Sequence, residues 1–264
     1  VLGNRKWTKQ WGFPGEYTHG KAIATDTLGN VFVCGETKGA LDGPRRGDRD
    51  AFVAKYDTAG VILWTKQLGT STEWTSCYAV ATDSQRNVFI VGYTSGNLTG
   101  GPVAGSGHDA FLTKYDENGS LQWTKQLGVT ADDVEAFGVT TDSAGNIYMT
   151  GFTSGGLGSF TQSGEEDLFL TKYDPSGNAQ WTRQVGGSAL IYTRAQAVSI
   201  DSFGTLSITG HTTGGFDGEP MVGNQAAFIT NYDSNGNRNW TKILSLPGAT
   251  MGGYGIATDS FGSI

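Results

Sequence analysis

A tryptophan that returns at an almost fixed interval constrains this chain more than any other feature. Trp7, Trp64, Trp123, Trp181 and Trp240 are separated by 57, 59, 58 and 59 residues. Each stands in a variant of the stretch from Asp109 to Gly128, DAFLTKYDENGSLQWTKQLG. Self-similarity at such a period marks a propeller, a solenoid or another array. A length of 264 residues is ordinary for one all-β domain with a sizeable core. We therefore expect 1–264 to form a single domain.

Each unit supplies four short strands. Strand a is the small-residue segment KAIATD (21–26), echoed by YAVATD (78–83), FGVTTD (137–142), QAVSID (196–201) and YGIATD (254–259). Strand b is NVFVCGET (30–37), strand c is DAFVAKYD (50–57) and strand d is the Trp-bearing VILWTKQL (61–68), each with its sisters. Strands a, b and c are apolar on both faces, so both faces must be covered. No window has the helical i, i+3, i+4 pattern, which leaves other copies of the sheet as the cover. Four-stranded sheets packed face to face around an axis are propeller blades. The expected fold is thus all-β: a β-propeller of four-stranded antiparallel blades, about 58 residues per repeat, with four complete blades and a partial fifth. The complete repeats are placed at 20–68, 77–127, 136–185 and 195–244, and the partial one is built from 1–10 and 253–264. Strand a, rich in Gly and Ala, suits the crowded innermost position. Strand d alternates Trp with Thr, Lys and Gln, as an outer edge should, and Lys66 and Lys125 discourage edge-to-edge association.

The a–b turns (DTLGN, DSQRN, DSAGN) and the c–d turns (YDTAG, YDENG, YDPSG, YDSNG) are short and uniform, with Asp at the start and mostly Gly where φ > 0 is needed. The b–c connections (38–49, 95–108, 154–166, 213–225) and the d–a connections (11–19, 69–76, 128–135, 187–194, 245–252) are longer and differ among units. Both sets fall on one side of an up-and-down blade. Variable loops on a rigid scaffold are where binding is expected.

The combined pattern DAFxxKYDxxGxxxWTKQLG followed by xxATDSxGNVYVTGxT resembles the seven-bladed β-propeller repeat (SBBP) family of bacterial, especially cyanobacterial, secreted and surface proteins. The resemblance covers essentially the whole chain. It implies tandem blades, an extracellular or cell-surface location, no cofactor and no established catalytic residues. The fourth unit departs from the pattern at Ala226, Asn231 and Ser207. Aligning Ile264 with Val31 and Val1 with Thr58 leaves positions 32–57, 26 residues, without a fifth counterpart. We expect a piece of a longer propeller or an unseen segment, with the N-terminal strand d zipped against a C-terminal blade. The absence of an initiator Met is expected of a processed or excised chain.

A formal charge of −7, with no run of Lys or Arg beyond Arg45–Arg46, disfavours nucleic acid and anionic membranes as partners. No apolar run reaches the length of a membrane span, so membrane insertion is not expected. Cys34 and Cys77 lie where sister units carry Val, Thr, Gly or Ala; two small buried thiols are the favoured reading and a bridge between neighbouring strands the other. No metal site is expected.

The candidate chemistry is sparse. The turn residues Asp26, Asp83, Asp142, Asp201 and Asp259 cap their own turns and lack the alternating oxygen ligands of a calcium loop. Asp50, Asp109 and Asp167 recur at strand entrances, where a backbone cap is expected rather than acid–base work, with Asp48, Glu165 and Glu166 beside them. His19, His108 and His211 occupy unrelated positions and are expected on the solvated surface. The d–a connections hold the best binding candidates: Tyr17, Trp74 and Tyr192 stand nine residues before a turn Asp, with Asp133 and Thr250 at the same position, and Glu16, Glu73 and Asp132 stand one residue earlier. An aromatic beside a carboxylate can stack on a sugar and accept its hydroxyls; packing between blades is the competing use. The expected function is a non-catalytic binding or scaffold propeller that engages a protein or polysaccharide, with a lectin of one site per blade as the first alternative. A lyase or hydrolase with a central-channel site is the second, for which Arg194 and Glu135 are the only hints.

Overall fold

The computed structural model describes residues 6–100, 107–259 and 261–264. Residues 1–5 of the N-terminal strand d, residues 101–106 of the 95–108 connection and Ser260 lie outside the described residues. Among the described residues sixteen strands form four sheets. The first holds β1 (Thr18–Thr25), β2 (Val31–Thr37), β3 (Asp50–Tyr56) and β4 (Ile62–Leu68), and the second β5 (Thr75–Thr82), β6 (Val88–Thr94), β7 (Asp109–Tyr115) and β8 (Leu121–Leu127). The third holds β9 (Val134–Thr141), β10 (Ile147–Thr153), β11 (Asp167–Tyr173) and β12 (Ala179–Val185), and the fourth β13 (Thr193–Ile200), β14 (Leu206–Thr212), β15 (Ala226–Tyr232) and β16 (Arg238–Leu244). Strands follow one another antiparallel in chain order within every sheet. No helix occurs among the described residues.

The sheets cover each other's faces, which is why b and c are apolar on both sides. Phe32, Cys34, Ala51 and Val53 of the first sheet meet Val80, Val88, Ile90 and Phe111 of the second. Phe89, Val91 and Leu112 meet Val139, Ile147 and Phe169 of the third, and Tyr148, Leu168 and Leu170 meet Val198, Leu206 and Phe228 of the fourth. Each large side chain so buried contributes roughly 1.5–3 kcal/mol. The innermost strands touch in succession, β1 against β5, β5 against β9 and β9 against β13. The result is a propeller-like stack about a central channel.

One local device repeats in every innermost strand. The register slips between Gly20 and Ala22, Cys77 and Ala79, Ala136 and Gly138, and Ala195 and Ala197, so Lys21, Tyr78, Phe137 and Gln196 are each an extra, bulged residue. Opposite each bulge strand b carries glycine. A Cβ on Gly92 would sit 1.8 Å from the Ser76 carbonyl oxygen, and one on Gly151 1.8 Å from that of Glu135. Only glycine admits that approach.

Two expectations are corrected. Cys34 and Cys77 are not free thiols: they form a disulfide, with Cα atoms 5.9 Å apart, between β2 of the first sheet and β5 of the second. Both are fully buried. Face-to-face packing brings an inner strand of one unit against strand b of the previous one, within the separation a disulfide needs. Residues 6–10 and 253–258, expected as strands d and a, join no ladder. Their partners in such a unit, strands b and c, have no counterpart in the sequence. Both segments nevertheless dock as blade parts. Trp7 stacks on Tyr56 and donates from Nε1 to the Thr58 carbonyl, as Trp64 packs by Tyr115 and donates to the Glu117 carbonyl. At the other end Gly253 N donates to Gly210 O, and Thr258 meets Ser199. The N-terminal segment thus stands against the first sheet as Trp64 of the first sheet stands against the second. Ile23 of the first sheet is 69% exposed, whereas its counterparts Val80, Val139 and Val198 are 8% exposed.

Candidate ligand-binding rim

The recurring acids are structural. Asp26, Asp83, Asp142, Asp201 and Asp259 each accept backbone N–H groups two and four residues ahead. Asp50, Asp109 and Asp167 each accept the side-chain N–H of a strand-d glutamine, Gln67, Gln126 or Gln184, and the same amides bond Gly39, Gly96 and Gly155. The fourth unit has Ala226 and Ile243 at these two positions and so has lost both partners together. No group of three or more metal-ligating side chains occurs among the described residues.

The bulges aim their side chains at the axis. Lys21, Tyr78, Phe137, Gln196 and Tyr254 line a channel cavity of about 410 Å³ with the small residues around them. Lys21 Nζ lies 3.6 Å over the Tyr78 ring, and Tyr78 meets Phe137 edge-to-face at 4.8 Å. Strict period-2 reading of strand a misses these residues. The available signal was their constant place five residues before each turn Asp.

At the loop end of the channel charged groups pair off. Glu36 is buried and takes hydrogen bonds from Tyr17 Oη at 2.8 Å, Lys21 Nζ at 3.1 Å, Arg49 Nη1 at 3.0 Å and Ser76 Oγ. Burial opposes ionisation of this carboxyl, but the hydrogen bonds from Ser76, Tyr17 and Lys21 and the charge of Lys21 outweigh it and hold the pKa at about 2. Two histidines expected on the solvated surface are half-buried here. His108 stacks on Tyr93 at 4.4 Å and binds Glu135 through Nδ1 at 2.8 Å; that bond raises its pKa against partial burial. His211 places Nδ1 out of solvent without a partner, and burial, then the Arg194 charge, lower its pKa. The residues around them belong to other parts of the chain, so their places in the sequence did not reveal this burial. His19 is exposed and meets Tyr17 Oη at 3.0 Å. Arg194 pairs with Glu166, and its guanidinium lies 4.3 Å over Phe152. Arg194 and Glu135 thus have separate partners.

The d–a aromatics stand out on the same end. Tyr17 is 44%, Trp74 45% and Tyr192 39% exposed. Their carbonyls accept N–H bonds from Lys38, Ser95 and Thr213, which fixes each ring's base in the same way, and Ser154 does so for Asp133 in the third unit. Arg49 lies between two of the rings, 5.6 Å from Tyr17 and 5.1 Å from Trp74. Sequence reading had no sign of this arginine's role. The neighbouring acids divide: Glu16 is exposed, Glu73 accepts from Ser95 Oγ at 2.8 Å, and Asp132 is half-buried against Gly155. The carboxylate on the Trp74 indole N–H is Asp48, at 2.9 Å.

Four antiparallel sheets stacked about an axis, with longer loops on one end, define a propeller-like all-β protein. The family model of the SBBP beta-propeller repeat matches this chain three times, over residues 6–41, 63–99 and 122–158. It is 32% identical over 174 residues to regulatory protein FlaEY of Caulobacter vibrioides, covering 59% of this chain and 18% of that protein. It is 26% identical over 168 residues to an uncharacterised WD repeat-containing protein of Acanthamoeba polyphaga mimivirus, covering 53% of this chain and 12% of that protein. The chain therefore spans less than a fifth of the length of these two curated relatives. Among solved structures it is similar to a catalytically inactive virginiamycin B lyase from Staphylococcus aureus, at 12% identity and a TM-score of 0.45, over 90% of this chain and 74% of that one.

Proposed function

We propose that this chain is a non-catalytic binding propeller that engages a protein or a polysaccharide through the rim of its longer loops. The observation that carries the reading is the set of exposed rings, Tyr17, Trp74 and Tyr192, held at equivalent positions by equivalent backbone bonds. Rings fixed before a ligand arrives lose little entropy on binding. Placement at one position per unit also favours the lectin alternative. Mutual pairing of Glu36 with Lys21, His108 with Glu135 and Arg194 with Glu166 supports the non-catalytic reading. A disulfide forms and persists in oxidising surroundings, which supports an extracellular or surface location. The docking of Trp7 and Gly253 in blade-like positions supports a partial fifth blade within one domain. The test is a screen of immobilised polysaccharides and candidate proteins with the purified chain and Trp74→Ala. Binding that Trp74→Ala removes while the circular dichroism spectrum is retained is the expected result. Binding unaffected by loss of all three rings would overturn it.

A further inference from the structure

Charge on the loop rim is distributed unevenly. Of the five Lys and Arg residues in its nine connections, four (Lys38, Arg45, Arg46 and Arg49) lie in the single connection 38–49, and the fifth, Arg194, is taken up by Glu166. The other connections carry acids, among them Asp132, Asp133, Glu165 and Glu219. In a chain of net charge −7 this makes one cationic corner on an anionic rim.

That corner is also concave. A cavity of about 380 Å³ is lined by Arg45, Arg46, Gly47, Asp48, Ser71 and Thr72. Both arginines are exposed; Arg46 gives one Nη1 hydrogen bond to the Gln67 carbonyl and keeps its other N–H groups, and Arg45 has no acid partner among the described residues. Asp48 is engaged by the Trp74 indole N–H and lies 3.8 Å from Lys38 Nζ, which offsets its charge. Trp74 is tied to the cavity wall through Asp48, with Arg49 5.1 Å from its ring and 45% of the residue exposed. A planar guanidinium fork, two hydroxyls and a fixed indole are what an anionic sugar ring needs: bidentate hydrogen bonds for a carboxylate, donors for ring hydroxyls, and a flat face for its C–H groups.

We propose that this cavity binds a carboxylated sugar unit of an acidic polysaccharide, with its ring on Trp74 and its carboxylate on Arg45 and Arg46. The proposal rests on the loop-rim reading above and narrows it to a ligand class and one corner. An acidic peptide would satisfy the arginines but gives Trp74 no regular ring to stack on.

The test compares polygalacturonate, neutral dextran and poly-glutamate by affinity electrophoresis and calorimetry, on the intact chain, Arg45→Gln/Arg46→Gln and Trp74→Ala, with circular dichroism as the fold control. Polygalacturonate is expected to bind in a salt-sensitive way, to weaken about tenfold to a hundredfold in the double Gln variant, and to be lost in Trp74→Ala. Dextran bound equally well and unaffected by the Gln pair, yet lost in Trp74→Ala, would overturn this proposal and leave the rim reading standing. Poly-glutamate bound as tightly by Trp74→Ala as by the intact chain would overturn the sugar assignment. Absence of polygalacturonate binding to a correctly folded chain would also overturn it, and would leave the rim reading to neutral polysaccharides and protein partners.

Discussion

Replacing Cys34 by Val and Cys77 by Ala removes the covalent tie between the first two sheets while keeping their packing, because these are the residues the sister units use. Val91 stands at the position of Cys34 in the second unit, and Ala136 and Ala195 stand at that of Cys77 in the third and fourth. The bridge joins residues 43 apart. A cross-link over that span removes roughly 13 cal/mol/K of entropy from the unfolded chain, about 4 kcal/mol at 25 °C. For a chain of this size that corresponds to a fall in Tm of roughly 8–16 °C. Urea and thermal unfolding of the oxidised protein and of the variant should show this gap. Unfolding of the fully reduced wild type should match the variant. Because both sulfurs are fully buried, reductant added to native protein is expected to act only as the first sheet opens from the second, and so slowly. A variant within about 1 kcal/mol of the oxidised protein would refute the reasoning, since loop closure would then contribute almost nothing.

Three further outcomes are expected. Asp167→Ala should cost about 1–3 kcal/mol by leaving the buried Gln184 amide short of an acceptor, and adding Gln184→Ile, the fourth unit's solution, should recover part of it in a double-mutant cycle by urea unfolding. The folded pKa of Glu36, about 2, lies below its ordinary value of 4.5, so its contribution is present above that value and is lost as pH falls from about 4.5 towards 2; Glu36→Gln should flatten acid unfolding across this window. The pKa of His108 is raised by Glu135, so its contribution is present below 6.5 and is lost as pH rises through the folded value; in Glu135→Gln, NMR titration should return His108 towards 6.5 or below, and an unchanged titration would show that Glu135 is not the cause.

Strand positions were legible because the sequence states them four times. The period of the tryptophans located every strand d, and the apolar b and c strands required the sheet-on-sheet packing that Phe32, Phe89 and Tyr148 make. Much of what was illegible has one cause, contact between residues of different units. Cys34 finds Cys77 and Arg49 finds Trp74 only once adjacent sheets are stacked, and no spacing within a unit encodes that meeting. His108 read as a loop residue for the same reason, since Glu135 belongs to the next unit. The channel lining was hidden differently: a bulge shifts the alternation by one, so Lys21 and Tyr78 leave the face that period 2 assigns them. Tyr17, Trp74 and Tyr192 were visible as positions, but the cationic corner beside two of them became visible only when the loops were placed together.

The bulges also separate what the protein presents from what holds it up. An extra residue belongs to neither face of the sheet, so its identity is released from the packing that fixes its neighbours. Lys21, Tyr78, Phe137 and Gln196 differ in charge, size and polarity while the glycine opposite and the small residues on either side stay nearly constant. The wall of the channel is therefore a row of sockets of one shape. Mutation can rewrite the contents of the sockets that hold Tyr78, Phe137 and Gln196 one at a time, whereas Lys21 is tied to the buried Glu36.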